Sequence, residues 1–347
     1  MRGFGSWIQF GISASLLALL AGCSGTGVAS YSATKATLTA GGASKVFVTQ
    51  LTDTVTGTGV IAQYAADGSN VAAPAATFTT QASTAFSYAV LDAGGQFYAG
   101  VQAGSPEVMV FAPGTQGAGT AVRIIEGGAA SFSKPGPLAI DSSSQLYVAD
   151  PNGSLSVFAP DAAGAAAPVR RIQGDLTQLS TAGVVSALTV DATTGTIRLA
   201  MDSTSSVSPA WTVLEFAATA NGNVAPARVI TVANPCSLNN ASHTALNRNG
   251  NFYVSCMEGS GSVLLVYALT GQNVTAPSRT MSGVATGLES VLAMTTDQVG
   301  NLFVLNYSQD AGLSVKAFGA SGDGNVAPAI QFSANSMTSI FPQIAVY

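Results

Sequence analysis

A unit of about 50 residues is repeated six times along this chain of 347 residues, and the repetition limits the fold more than any other feature. Each unit contains a short apolar run that ends in Phe or Tyr and is followed by a turn of small residues. These runs end at Tyr64, Phe111, Phe158, Phe216, Tyr267 and Phe318. A period of this length is typical of repeat proteins, in which each unit buries its apolar face against its neighbours.

Each unit reads as four short strands separated by turn residues. Two strands precede the apolar run, most clearly in LAIDSSSQLYVAD at residues 138–150, and a fourth strand such as VRII at 122–125 follows it. Four strands in about 50 residues is typical of a propeller blade. The chain also has 38 Gly and only 8% charged residues, which is a poor composition for surface helices. We therefore predict an all-β, six-bladed β-propeller of four-stranded antiparallel blades.

The two ends of the repeat array predict how the ring closes. We name the strands of a blade A to D, from the central channel outwards. The first recognisable strand, at residues 45–50, matches strand B, so the first blade lacks a strand A of its own. The last seven residues, 341–347, match strand A and nothing follows them. The C-terminal strand is therefore predicted to complete the first blade, because an open ring would leave an unpaired edge in water.

Two polar positions recur in most units, and we interpret both as structural. An Asp or Asn follows strand A and is expected to cap backbone N–H groups of the A–B turn; these residues are Asp92, Asp141, Asp191 and Asn247. An Arg begins strand D, where its charge would discourage edge-to-edge aggregation; these residues are Arg123, Arg170, Arg228 and Arg279.

The repeated core A-x-D-x-x-G-x-L-Y-V resembles NHL-repeat propellers, and more distantly gluconolactonase-like and YVTN-type propellers. It is clearest at residues 138–148 and 245–254, and the resemblance covers about residues 45–347. The unit around Arg198 departs from it, because Arg stands in the usual Tyr position. The resemblance implies the fold but not the function, since propellers host hydrolases, lyases, ligand sensors and interaction platforms.

The N-terminus is expected to be an export and anchoring signal. A mainly apolar stretch at residues 7–20 is too short to span a bilayer but suits a secretory signal. It leads into Leu20-Ala21-Gly22-Cys23, which resembles the lipobox of bacterial lipoproteins and implies lipidation of Cys23; the alternative is an ordinary signal peptide with a chance cysteine. The predicted organisation is a signal peptide at 1–22, a lipidated Cys23 with a flexible tether to residue 43, and the propeller at 44–347.

These features predict an exported, lipid-anchored protein of the bacterial cell envelope. Ser24 follows the cysteine, and by resemblance to the usual sorting pattern it favours the outer membrane, with a periplasmic or a surface position left open. The membrane is then a partner through the lipid on Cys23. Nucleic acid is not expected as a partner, because 17 acidic residues outnumber 12 basic ones and no basic stripe is present.

Candidate binding residues lie on the face that carries the B–C and D–A loops, where ligands usually meet other propellers. Asp150, Asp202 and Asn306 stand near the ends of B strands, and Glu289 lies beside the start of a strand A. His243, the only histidine, is predicted on the same face. The alternative is that these are solvated loop or turn residues, since Asp150-Pro151-Asn152-Gly153 reads as a tight turn.

Cys236 and Cys256 are the cysteines that remain once Cys23 is lipidated. Both are predicted on the loop face, 20 residues apart. The alternatives are a disulfide and two free thiols, and an oxidising compartment favours the disulfide.

The sequence supports three classes of function. The first is a non-catalytic binding propeller for a protein, glycan or small ligand, and the second is a lactonase-like metal-dependent hydrolase at the channel mouth. The third is a structural or assembly component of the envelope. We assign no catalytic residue, metal site or cofactor, because the strand A entrances carry mainly small neutral residues. Calcium needs six to eight oxygen ligands, including carboxylates.

Overall fold

A computed structural model describes residues 37–38, 40–43, 45–51, 59–66, 74–80, 86–101, 105–128, 131–202, 210–233, 236, 241–259, 261–334 and 340–346. Cys23 and most of the predicted tether lie outside these residues. The first thirteen strands are β1 (Lys45–Leu51), β2 (Gly59–Ala65), β3 (Ala76–Thr79), β4 (Phe86–Leu91), β5 (Phe97–Val101), β6 (Glu107–Phe111), β7 (Gly117–Ala118), β8 (Arg123–Glu126), β9 (Leu138–Ile140), β10 (Leu146–Asp150), β11 (Ser154–Phe158), β12 (Arg170–Gln173) and β13 (Val184–Val190). The others are β14 (Ile197–Asp202), β15 (Ala210–Phe216), β16 (Arg228–Ala233), β17 (Ala241–Leu246), β18 (Asn251–Glu258), β19 (Gly261–Ala268), β20 (Asn273–Val274), β21 (Arg279–Met281), β22 (Ser290–Thr296), β23 (Leu302–Ser308), β24 (Gly312–Phe318), β25 (Ile330–Ser333) and β26 (Ile340–Val346).

These strands form six sheets, which are the six predicted blades. From strand A to strand D, the blades are β26-β1-β2-β3, β4-β5-β6-β8, β9-β10-β11-β12, β13-β14-β15-β16, β17-β18-β19-β21 and β22-β23-β24-β25. We number them blades 1 to 6 in this order. The inner strands contact one another around a ring, and β26 pairs antiparallel with β1. The predicted six-bladed fold and its closure by the C-terminal strand are confirmed.

The core lies between blades, because alternate side chains of a strand point to opposite faces of its sheet. In β10, Tyr147 and Ala149 pack toward blade 4, while Leu146 and Val148 pack toward blade 2. Each blade therefore has two buried faces, and all five residues of β10 are buried.

The A–B turns follow the expected pattern. The Oδ1 atom of Asp141 accepts the backbone N–H groups of Ser143 and Gln145 at 2.9 Å. Equivalent hydrogen bonds stabilise the turns that begin at Asp92, Asp191, Asn247 and Asp297. We call the side of the ring that carries these turns the turn face, and the opposite side, with the B–C and D–A connections, the loop face.

The outer edges of five blades are covered by backbone of the next blade. The C–D connection of blade 2 contains β7, which pairs in parallel with β3, and that of blade 5 contains β20, which pairs with β16. Single parallel bridges at Gly164, Gly222 and Gly324 make the same contact on blades 2, 3 and 5. We call these C–D connections straps. They protect the strand D edges by pairing with them.

The arginines of strand D form hydrogen bonds that join neighbouring blades. Their expected role, as charges that only discourage edge-to-edge aggregation, therefore needs correction. Arg170 donates from Nη1 to the carbonyl oxygen of Ala218 in the strap of blade 4, at 2.6 Å. Its Nη2 atom donates to the hydroxyl of Tyr147 in its own blade, at 2.9 Å. Arg123 makes the same contacts with its own strand B tyrosine and with the next blade.

Blade 4 keeps this inter-blade contact although Arg198 replaces the tyrosine. Glu215 compensates for the exchange: its carboxylate accepts from Nε of Arg198 at 2.8 Å and from Nε of Arg228 at 2.7 Å. Burial opposes ionisation of Glu215, but the hydrogen bonds from Arg228 and Arg198 outweigh it and lower its pKa. In blade 4, Arg198 and Glu215 together thus take the place of the tyrosine that contacts the strand D arginine in other blades.

The described chain begins on the turn face. The backbone N–H of Ala43 donates to Oδ2 of Asp297 at 3.0 Å, and Leu38 packs on the core between blades 6 and 1. These residues belong to the predicted tether and contact the propeller. Within the described part of the chain, no helix is long and apolar enough to span a bilayer.

Candidate functional site: the central channel

A cavity of about 370 Å³ occupies the channel and is lined by the inner strands of all six blades. Its wall combines apolar residues such as Leu188 and Met294 with the threonines Thr189, Thr244 and Thr295. This volume is within the range of small-molecule sites, and more of the lining surface is polar than apolar. The closed ring of sheets holds these residues on rigid elements.

Two of the predicted mouth residues, His243 and Asp202, line this cavity together with Trp211. His243 lies in β17, where its backbone N–H donates to Oγ of Ser255 at 3.0 Å. Its imidazole makes no hydrogen bond to another described residue, and burial lowers its pKa. Asp202 ends β14 on the same loop-face side, and burial of its carboxyl group raises its pKa. Both side chains place hydrogen-bonding groups at this end of the cavity.

Asp150 and Asn306 do not line the cavity. Asp150 is buried, and its Oδ2 atom accepts the backbone N–H and the hydroxyl of Ser133 at 2.6 and 2.8 Å. Asn306 is buried as well, and its Oδ1 atom accepts the backbone N–H of Glu289 at 2.9 Å. Each side chain points away from the channel and fastens the loop that enters its own blade. The Asp150–Gly153 segment forms a turn, closed by an N–H···O bond of 3.0 Å.

Glu289 also lies outside the cavity lining. It is exposed on the loop face, where its Oε2 atom accepts the backbone N–H of Gln309 at 3.3 Å. The buried Lys316 lies within its electrostatic reach; burial lowers the pKa of this lysine and Glu289 opposes that effect. Of the five candidates, the structure thus brings two to the channel mouth and uses three to hold loops.

Cys236 and Cys256 form a disulfide with a Cα–Cα distance of 5.6 Å. Cys256 occupies the same position of strand B as Asp150 and Asn306, and Cys236 lies in the loop that enters blade 5. The disulfide is therefore the covalent counterpart of the hydrogen bonds in blades 3 and 6.

Arg248, which the sequence analysis did not select, lies at the turn-face end of the cavity. It follows Asn247 in the A–B turn of blade 5. Its side chain reaches past blade 4 to blade 3, and there its Nη2 atom donates to the carbonyl oxygen of Ile140 at 3.2 Å. Arg198 donates to its backbone carbonyl at 3.1 Å and fixes the turn. The sequence did contain a signal, because the equivalent turn position elsewhere is uncharged, as in Ala93, Ser142, Ala192 and Gln298.

One hydroxyl in the cavity wall also lacks a partner. The Oγ1 atom of Thr244 is buried and makes no hydrogen bond within the described residues. Thr244 contributes to the cavity lining, but this oxygen is itself buried and does not face the cavity. No group of three His, Cys, Asp or Glu side chains in the described part of the chain is arranged to hold a metal ion.

Comparisons with known proteins identify the fold alone. No protein-family model and no curated protein sequence matches the chain, so the resemblance to NHL repeats stays a prediction. In structure, the chain is similar to a protein of unknown function from Bacteroides caccae, with a TM-score of 0.55 and 12% identity over 87% of this chain and 98% of that one. The WD40 domain of Toxoplasma gondii coronin aligns with a TM-score of 0.47 and 9% identity, over 87% of this chain and 78% of that domain. The similarity to the Bacteroides caccae protein concerns the fold alone.

Proposed function

We propose that this chain is an envelope lipoprotein, anchored through Cys23, whose propeller binds a small ligand in its central channel without catalysis. One observation carries the binding proposal: a cavity of about 370 Å³ is enclosed by all six inner strands and has polar groups at both ends. Polar groups that rigid strands hold around a cavity are suited to selective binding. The ligand would enter at the loop face, past His243 and Asp202.

The positions of the oxygen-bearing side chains support binding over hydrolysis. A metal-dependent hydrolase would need several oxygen ligands converging on the channel. Asp150 and Asn306 instead accept hydrogen bonds from loop N–H groups, and Glu289 accepts one from the N–H of Gln309. His243 and Asp202 remain at the mouth as hydrogen-bonding groups for a ligand.

Trp211 provides a direct test of channel binding. The chain has two tryptophans, and Trp7 lies in the predicted signal peptide. Processed protein, or unprocessed protein that carries Trp7→Phe, therefore reports only on Trp211 in the cavity wall. We expect a fraction of a small-molecule extract of the envelope to change the Trp211 emission in a saturable way. Thr295→Phe, which fills the channel, should abolish the change. Thr193→Phe makes the same exchange on an exposed turn and should preserve it.

The anchoring part of the proposal has a separate test. In cells supplied with a labelled fatty acid, the wild-type chain should take up label and fractionate with the outer membrane. Cys23→Ser should remain unprocessed and unlabelled. Equal labelling of the two proteins would remove the lipoprotein assignment and leave the channel proposal standing.

A further inference from the structure

The guanidinium group of Arg248 reaches the cavity with most of its hydrogen-bonding capacity unused. An arginine has five N–H donors in a planar fork. Among the described residues, this one makes a single side-chain hydrogen bond, to the carbonyl oxygen of Ile140. Its backbone is held by Arg198, and its side chain crosses the inner end of blade 4. The group is therefore positioned by the fold and retains donors for another partner.

No described carboxylate neutralises Arg248 by direct contact. The ion pairs of the described residues belong to Arg198 and Arg228. Asp141 and Asp191 attract Arg248 from a distance, but the first caps its own turn and the second also pairs with Arg198. Burial lowers the pKa of Arg248, against the attraction of these two aspartates. An arginine nevertheless stays charged in proteins, so the turn-face end of the cavity carries a cation without a direct ion pair among the described residues.

Resting on the proposed channel binding, we infer that the ligand is an organic anion whose carboxylate or phosphate group is bound by Arg248. Planar guanidinium groups bind both oxyanions through charge-assisted hydrogen bonds. His243 and Arg248 are five residues apart along β17 and its turn, so the two ends of the cavity are separated by roughly 15 Å. The anionic group therefore lies at the turn-face end, and the rest of the molecule extends toward Trp211, His243 and Asp202.

Four compounds that share one body and differ in the terminal group test this inference. Phenylpropanoate, phenylpropyl phosphate, phenylpropanol and phenylpropylamine are titrated by calorimetry into the full-length protein. We expect the two anions to bind at least about tenfold more tightly than the alcohol, because a charge-assisted hydrogen bond is roughly twice as strong as a neutral one. The amine should bind no better than the alcohol. The tighter of the two anions identifies the group that Arg248 prefers.

Variants assign the preference to Arg248. Arg248→Gln should bring the anions to the affinity of the alcohol, and Arg248→Lys should keep part of the preference. Lys134→Gln removes one positive charge from the exposed loop face and should change nothing. Unchanged melting temperatures check that each variant is folded.

The other possible results contradict either the inferred anion or the proposed channel binding. The inference is overturned if the alcohol or the amine binds as tightly as the anions, if Arg248→Gln keeps the preference, or if none of the four compounds binds. Equal binding of all four compounds that Thr295→Phe abolishes would keep the channel proposal and remove the anion. Binding that survives Thr295→Phe would place these ligands outside the channel and contradict the proposed function itself.

Discussion

Asp150 and Asn306 occupy equivalent positions at the end of strand B, and each accepts a backbone N–H from a residue 17 positions earlier. In both blades that N–H belongs to the loop that enters the blade from its predecessor. The disulfide between Cys236 and Cys256 makes the same connection in blade 5. Three blades thus fasten their entering loops at one position with three different chemistries.

Removing one of these fasteners should lower stability without affecting the channel. Asp150→Ala leaves the N–H and hydroxyl of Ser133 without their buried acceptor, and we expect a loss of about 1–3 kcal/mol in the free energy of unfolding. Urea denaturation measures this loss. Asp310→Ala, at an exposed aspartate of the same face, should be neutral. A neutral Asp150→Ala variant, or one that alters the Trp211 response, would contradict the assigned role.

The disulfide should contribute more than either hydrogen bond. It closes a loop between residues 20 positions apart, for which chain entropy predicts about 3 kcal/mol. The double variant Cys236→Ala/Cys256→Ala should unfold at correspondingly lower urea concentration, and wild-type protein in reductant should behave similarly. Mass spectrometry of unreduced, alkylated protein should find neither cysteine modified; two modified cysteines would refute the bridge.

Glu215 should make the stability depend on pH in the acid range. Its pKa is lowered below the ordinary value of 4.5, so its contribution is complete above that value and is lost as the pH falls through the lowered pKa. Glu215→Gln should therefore be less stable than wild type at about pH 7. The difference should narrow as the pH falls below 4.5 and through the lowered pKa of Glu215. Urea unfolding at several pH values measures it, and a difference that does not vary with pH would contradict the prediction.

Ring closure predicts a large effect of a short truncation. Deletion of residues 341–347 removes most of β26, leaves the inner edge of β1 unpaired and opens two core clusters, which contain Ile344 and Ala345. We expect a loss of more than about 4 kcal/mol, together with loss of cooperative melting by circular dichroism. Deletion of Tyr347 alone provides the control. Unchanged melting of the longer truncation would be incompatible with closure through β26.

The channel is expected to bind no divalent metal specifically and to hydrolyse no lactone. Calorimetry with Ca²⁺, Mn²⁺ and Zn²⁺ and a panel of lactones test this expectation. Micromolar metal binding that Glu289→Gln or Asp202→Asn abolishes, accompanied by turnover, would replace the binding proposal with the hydrolase.

The fold could be predicted because its determinants repeat. Six copies of the same apolar alternation, with a strand B at one end and a strand A at the other, leave closure by β26 as the arrangement that buries every blade. The straps were not predicted, because pairs of residues such as Gly117-Ala118 and Asn273-Val274 have no apolar pattern to reveal a parallel pairing.

The candidate site could be predicted only in part, because it depends on the direction of single side chains. Asp150 and Asp202 both end a strand B, yet the first turns to its loop and the second to the cavity. A shift of one residue at a strand end decides between these directions, and an isolated sequence does not record it. Arg248 was missed because turn residues are usually solvent-exposed, whereas this one crosses to the neighbouring blades.

The straps also determine the order in which the molecule can be completed. Each covered edge is protected by a segment that lies one repeat later in the chain, so a blade emerging first keeps its outer edge open until its successor follows. The inner edge of β1 in blade 1 stays unpaired longest, because its partner β26 is formed after all the other strands of the six blades. A chain that emerges N-terminus first therefore has two unpaired edges. One is the strand D edge of the blade formed most recently, and the other is the inner edge of β1, which stays unpaired until the end. We expect a chaperone that prevents premature pairing to act at β1.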